Sequence, residues 1–214
     1  MRKRGEEALT EEQILSIIRE VLDGDANAFE DIVREYERNV YNIALRMSGD
    51  REDALDISQE SFLKAYHSLH SFRGDSRFSV WLYRIVSNTC LDFLRERKRR
   101  AEVPLVRGDD ADEPEQTEIP DESLSPETLF ERNLTRESLR RGLMSLPEDQ
   151  RKILLLREIE GFSYEEIADI LSLESGTVKS RIFRARKKLC EFLIEDGNIS
   201  HPSSSTRTGG GDKP

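Results

Sequence analysis

Asp53, Asp56 and Glu60 are spaced three and four residues apart, so on a helix they share one face with Gln59 as an acidic stripe. Carboxylates grouped in this way can act as general acids or as metal ligands. The other parts of such a site are missing. His67 and His70 stand at i, i+3, but the third histidine, His201, belongs to a polar stretch near the C-terminus. Cys90 and Cys190 are far apart and form no CxxC or Cys/His pattern, which argues against a disulfide framework or a zinc site and predicts two small core residues. No nucleophile or phosphate loop accompanies the acids, so neither catalysis, nor a metal, nor a cofactor is expected. The stripe is better suited to docking a basic partner.

A second chemistry resides in "SGTVKSRIFRARKKL", where residues 174 to 189 hold six cations against one acid. Val178, Ile182, Ala185, Leu189 and Phe192 recur at spacings of four and three, a continuous apolar stripe. Left outside it are Lys179, Ser180, Phe183, Arg184, Arg186, Lys187 and Lys188. A short helix with small Ala168 and a possible Ser163/Glu166 capping box precedes it, followed by the break "SLES". That order is a helix-turn-helix pattern, whose second helix enters the DNA major groove. Lys179 and Arg184 can donate to guanine, Ser180 suits several partners, and Phe183 can meet a thymine methyl. Arg186, Lys187 and Lys188 lie further along and suit phosphates. A merely solvated cationic face is the alternative, and the capped first helix and outward Phe183 weigh against it.

Upstream, "RFSVWLYRIVSN" interleaves Phe78, Trp81 and Tyr83 with Arg77, Arg84 and Asn88. Aromatic rings beside cations suit single-stranded nucleic acid, because unstacked bases lie on the rings while cations hold phosphates. Phe78 and Trp81 can equally be core. The same helix ends in "RERKRR", including Arg97, which extends the surface into a basic track. Cations at a helix C-terminus are also favourable in themselves.

Helices must position all of these residues. Thr10 with Gln13 predicts a capped helix ending near Gly24. Phe29 to Met47 follow a helical period, and a third helix from about Arg51 to Leu69 turns Ala54, Ile57, Phe62, Tyr66 and Leu69 inward. A fourth, from about Phe78 to Arg100, turns Leu82, Ile85, Val86 and Phe93 inward. Ser125-Pro126 opens a second unit, whose first helix ends through Leu139, Leu143 and Leu146 at Pro147, which opens another through Ile153, Leu154 and Ile159. The expected fold is all-α, with an N-terminal helical bundle over 1–101 and a helix-turn-helix domain over 125–195. Between them residues 102–124 read as a flexible acidic linker, and 196–214 as a disordered tail.

The 214-residue chain carries a formal net charge of −10, which should repel polyanions. Residues 102 to 131, however, hold eleven acids and one base, so this stretch accounts for the whole excess and the folded units are neutral overall. The N-terminus lacks the apolar core of a signal peptide and no run suits a membrane span, so a cytoplasmic protein without direct membrane insertion is expected.

Taken together, "DALDISQESFLKAY", "SFRGDSRFSVWLYRIVSNTCLDFL" and "SLPEDQRKILLLREIEGFSYEEIADIL" with "GTVKSRIFRARKKL" resemble, in order, regions 2.2, 2.3–2.4 and 4.1–4.2 of an extracytoplasmic-function (ECF) sigma factor of bacterial RNA polymerase. The resemblance implies that Asp53, Asp56, Gln59 and Glu60 dock on the clamp helices of core polymerase, with the flap as a further contact. It implies that Phe72, Arg77, Trp81, Tyr83, Arg84, Asn88 and Arg97 open the minus-ten promoter element and capture a flipped base. Lys179, Ser180, Arg181, Phe183, Arg184, Arg186 and Lys187 would read the minus-thirty-five duplex. Ser87 departs from the small apolar residue expected beside Asn88. An anti-sigma partner and stress control are implied by the family alone.

The roughly 30 residues from 102 to 131 reach at most about 100 Å extended, but only about 30 Å as a free coil. Promoter elements two helical turns apart are near 70 Å, so a scaffold is needed to hold the units at that spacing. An autonomous helix-turn-helix regulator is the competing function, and a metal-dependent nucleic-acid enzyme built on the acidic stripe a third.

Overall fold

A computed structural model describes residues 8–102 and 126–197, with side chains for 8–100 and 134–197. The linker, apart from Glu102, and the tail beyond Gly197 lie outside the described residues, as does the proposed N-cap Ser125. Eight α-helices follow in order: α1 (Glu11–Leu22), α2 (Phe29–Ser48), α3 (Arg51–Ser68), α4 (Phe78–Glu102), α5 (Pro126–Ser145), α6 (Glu148–Glu158), α7 (Tyr164–Leu171) and α8 (Ser175–Glu195). No strand occurs among the described residues.

Local chemistry sets the boundaries. The Thr10 hydroxyl accepts from the Gln13 amide at 3.3 Å while the Gln13 side chain accepts from the Thr10 amide at 2.8 Å, the reciprocal box expected at the start of α1. Helix α2 stops at Gly49, whose φ of 77° is the left-handed conformation that glycine reaches without a Cβ penalty. Asp50 then caps α3 by accepting from the Asp53 amide at 2.9 Å. The orphan amide of Phe78 at the start of α4 donates to Glu11 of α1 at 2.6 Å, so the long fourth helix is anchored on the first.

Ile32, Val40, Ala44 and Met47 of α2, Ala54, Ile57 and Ala65 of α3, and Phe78, Leu82 and Val86 of α4 are fully buried and form the core of the first four helices. In the last four helices, Ile153, Leu155, Leu156, Ile167, Ile170, Val178, Ile182 and Ala185 do the same. One inward assignment fails at the rim: Tyr66 is 37% exposed; Leu139 and Ile159, on later helices, are 41% and 48% exposed. Cys90 is buried as expected but Cys190 is exposed, because its position falls between the stripe residues Leu189 and Phe192. Burial pushes the Cys90 thiol up to about 12, which keeps it protonated and unreactive.

The two groups of helices pack directly on each other. Arg151 is a buried cation with no carboxylate bonded to it. Its guanidinium donates to the carbonyls of Leu143 (2.9 Å), Met144 (3.0 Å) and Leu146 (3.2 Å), and also to Met47 at the end of α2. It thus satisfies the C-terminal carbonyls of two helices from different halves of the chain, where the helix dipole favours a cation. Beside it, a Cβ at Gly49 would come within 2.7 Å of the Met144 methyl, so glycine also permits the close approach of α2 to α5.

Replacing Arg151 with methionine should cost about 2–3 kcal/mol in urea unfolding, because several buried carbonyls lose a charged donor. Arg141→Met, which removes a half-exposed pair with Asp196, should cost less than about 1 kcal/mol.

Candidate nucleic-acid and partner interfaces

Three surfaces correspond to the three groups of residues singled out in the sequence. On α3, Asp56, Gln59 and Glu60 are exposed, and Asp53 is partly covered. Asp53 is paired with Arg97 of α4 at 2.6 Å. Burial raises its carboxyl pKa, with the Arg97 guanidinium opposing that shift and the neighbouring Asp50 and Asp56 adding to it. Leu55 and Leu63 stand among these acids at 50% and 54% exposure, and Tyr66 continues the ridge. These apolar residues escape a periodicity search because they fall on the helix face opposite the core. Their signal in the sequence is two leucines that have no place on the buried stripe.

The helix-turn-helix is formed by α7 and α8. Ser163 and Glu166 make the expected capping box at α7, with bonds of 3.1 and 2.9 Å. Ser172, at φ 52°, turns the chain into α8. On α8, Lys179, Ser180, Phe183, Arg184, Arg186 and Lys187 are exposed, and Arg181 is half-buried. Phe183 is 68% exposed, the most exposed large apolar side chain among the described residues. Arg184 lies back along its own helix, donating to the Ser180 carbonyl at 3.2 Å and hydroxyl at 3.4 Å. Lys179 sits over the Tyr164 ring at 5.7 Å. Arg186 pairs with Glu158 at 2.5 Å and Lys187 with Glu191 at 3.7 Å, surface pairs that leave both cations on the outside. The helix therefore presents a polar and cationic face around one aromatic, the composition that a major groove accepts.

The α4 surface differs from its sequence-based expectation. Phe72, Phe78 and Trp81 form one aromatic cluster, with ring centroids 5.4 to 5.6 Å apart, in which Phe78 is fully buried and the other two half-exposed. Asn88 and Arg97 are exposed. Tyr83, read as lying off the apolar stripe, is 2% exposed. It is covered from outside its own bundle: its ring stands edge-on to Phe162 at 5.1 Å, and its hydroxyl donates to Glu160 at 2.5 Å. Arg77 pairs with Glu166, and the Arg84 Nε donates to the Asp169 carbonyl at 3.1 Å. Ser87 is buried.

Charge follows this packing. Burial raises the Glu160 carboxyl pKa, against the Tyr83 hydrogen bond and Arg46, and burial also raises Tyr83 beside that acid. For Glu166 burial pushes the pKa up, but the Ser163 amide and the Arg77 guanidinium outweigh it and hold the carboxyl low. Among the described residues no group of three His, Cys, Asp or Glu side chains is placed to hold a metal ion, and no helix is long and apolar enough to cross a membrane.

Comparison with known proteins agrees in order and extent. A family profile described as Sigma-70 region 2 matches residues 32–100, and one described as Sigma-70, region 4 matches residues 136–189. The RNA polymerase sigma-H factor of Pseudomonas aeruginosa is 40% identical over 185 residues, covering 86% of this chain and 96% of the relative. The ECF RNA polymerase sigma-E factor of Escherichia coli is 42% identical over 175 residues, or 81% of this chain and 90% of the relative. Among solved structures, the sigma factor RpoE bound to the anti-sigma factor NepR from Bartonella quintana has a TM-score of 0.60 at 27% identity, covering 78% of this chain and 96% of that one. CnrH in complex with the cytosolic domain of CnrY also scores 0.60, at 25% identity, covering 85% of this chain and 97% of that one.

The raised pKa of Asp53 means that its charge costs stability at neutral pH. Asp53→Asn should raise the urea midpoint at pH 7, and the gain should fade as pH falls through the ordinary carboxylate range, where both side chains are neutral. Unfolding curves at pH 7 and pH 4 check this.

Proposed function

We propose that this chain, which belongs to the sigma-70 family, is an alternative sigma factor that binds core RNA polymerase, directs it to specific promoters and starts transcription there. The observation that carries the assignment is the juxtaposition of an acidic docking face and two separate nucleic-acid faces on one chain. A simple repressor needs only α8.

In this division of labour residues 1–101 form region 2 and 125–195 region 4, with 102–124 linking them. Asp53, Asp56, Gln59 and Glu60 meet the basic clamp of the polymerase, and the exposed Leu55 and Leu63 add apolar contact at the centre of that charged rim, where desolvation strengthens binding. Phe72, Arg77, Trp81, Tyr83, Arg84, Asn88 and Arg97 take the minus-ten strand, rings against bases and guanidiniums against phosphates. Lys179, Ser180, Arg181, Phe183 and Arg184 read the minus-thirty-five duplex, while Arg186 and Lys187 hold its backbone. The chain contributes binding rather than bond-making chemistry and works in the cytoplasm, where the polymerase and promoter DNA are. Control by an anti-sigma protein is supported by the structurally similar RpoE, solved with the anti-sigma factor NepR.

Transcription in vitro with core polymerase tests the assignment. The wild type should give specific initiation, and Asp56→Lys should abolish it; specific initiation by neither protein would refute the reading. Arg184→Ala should weaken use of the promoter by about 1–3 kcal/mol, concentrated at one position of the upstream element. An equal loss at every position would remove base readout from Arg184.

A further inference from the structure

Tyr164, the first residue of α7, carries two cations on its ring. The Arg157 guanidinium stands 4.8 Å from the ring centroid and the Lys179 ammonium 5.7 Å. The two are not equivalent. Arg157 comes from α6, is partly buried, and is tied down by the 2.7 Å bond from its Nη1 to the Phe162 carbonyl, so it steadies the ring from the protein side. Lys179 is exposed near the N-terminal end of α8, on the face given to DNA. The Ser163/Glu166 capping box fixes where α7 begins and therefore where Tyr164 sits.

The other long cations of the α8 face are held differently. Arg184 lies along its own helix on Ser180, and Arg186 is clasped by Glu158 at 2.9 and 2.5 Å. A lysine has a flexible four-carbon stem and a point charge, with none of the planar fork that pre-orients an arginine. Its reach must be narrowed from outside if it is to address one base pair. Attraction between an ammonium and the electron-rich face of a ring does this without neutralising the charge. Arg157 shares that ring, and its like charge moderates the hold, so the ammonium can leave the ring for a guanine acceptor. We propose that Tyr164 is a positioning residue for promoter readout: its ring holds the Lys179 ammonium ready over α7, so that Lys179 discriminates at a single position of the duplex. The inference rests on the assignment of α8 to duplex reading made above and adds to it a specificity determinant outside α8, one that works through Lys179 by its ring.

The test uses holoenzyme assembled from the full-length chain and core polymerase. It is given linear templates whose upstream promoter element is randomised, and barcoded transcripts are sequenced to give the base preference at every position. Preferences are ratios within one sample, so a loss of folded protein cancels. Lys179→Ala should flatten the preference at one position. Tyr164→Leu should lower the preference at that same position by about two- to fivefold and leave the others within about twofold, whereas Tyr164→Phe, which keeps the ring, should retain the wild-type pattern. Equal loss at all positions in Tyr164→Leu, loss at a position other than that of Lys179, or no loss would overturn the proposal. So would Tyr164→Phe losing as much as Tyr164→Leu, since the hydroxyl would then be the acting group. A wild type with no preference at any position would instead overturn the assignment of α8 itself, and the proposal with it.

Discussion

The phenol of Tyr83 cannot lie under Phe162 and face a DNA strand at the same time. That exclusion governs the rest of the architecture. One side of α4 builds the core of the first four helices through Phe78, Leu82 and Val86, and Arg77, Tyr83 and Arg84 lie on a side left for a partner. In the structure that side is given to the second four helices, and in the proposed function it is given to the promoter. Two sets of contacts compete for the same three side chains, Arg77, Tyr83 and Arg84, and the balance between them is a conformational equilibrium that a third surface can shift. The α3 face is suited to that role because the packing of the two groups of helices on each other does not involve it.

That packing is of a kind that can open. Its ion pair and the Arg84 bond sit at half-exposed positions, where such contacts contribute little against water. Its buried elements combine hydrogen bonds, Tyr83 with Glu160 and Arg151 with Met47, with the contact of the Tyr83 ring on Phe162. Ionised Glu160 is disfavoured by burial. Interfaces between units within one chain commonly have this polar character, and relative motion is their ordinary behaviour. In the proposed function, polymerase contacts on α3 and DNA contacts on α8 would therefore need to supply only modest differential binding to separate the units.

Much of the fold was legible because its signals are local. The Thr10/Gln13 and Ser163/Glu166 boxes, the Val178–Ile182–Ala185 stripe and the outward Phe183 follow from spacing alone, and all are present in the structure. The acidic stripe and the cationic helix were legible for the same reason. Tyr66 was misassigned because a periodic stripe does not reveal where the neighbouring helix ends. Tyr83 and Arg151 were illegible for a deeper reason: what covers them comes from residues about 80 and 100 positions away in sequence, across the linker. No local pattern reports that kind of contact. Leu55 and Leu63 show the converse, since their exposure on a folded helix is informative only once the core is seen to be complete without them.

The central claim is that one chain alternates between a closed form, with α7 on α4, and an open form held by polymerase. Fluorescence energy transfer between dyes at Glu52 on α3 and Glu191 on α8, both exposed, measures this directly. High transfer in the free chain, falling when core polymerase is added, is the predicted result. Transfer that is equally low in the free and the bound chain would contradict the account, because the strand-capturing side of α4 would then never be covered by its own second unit.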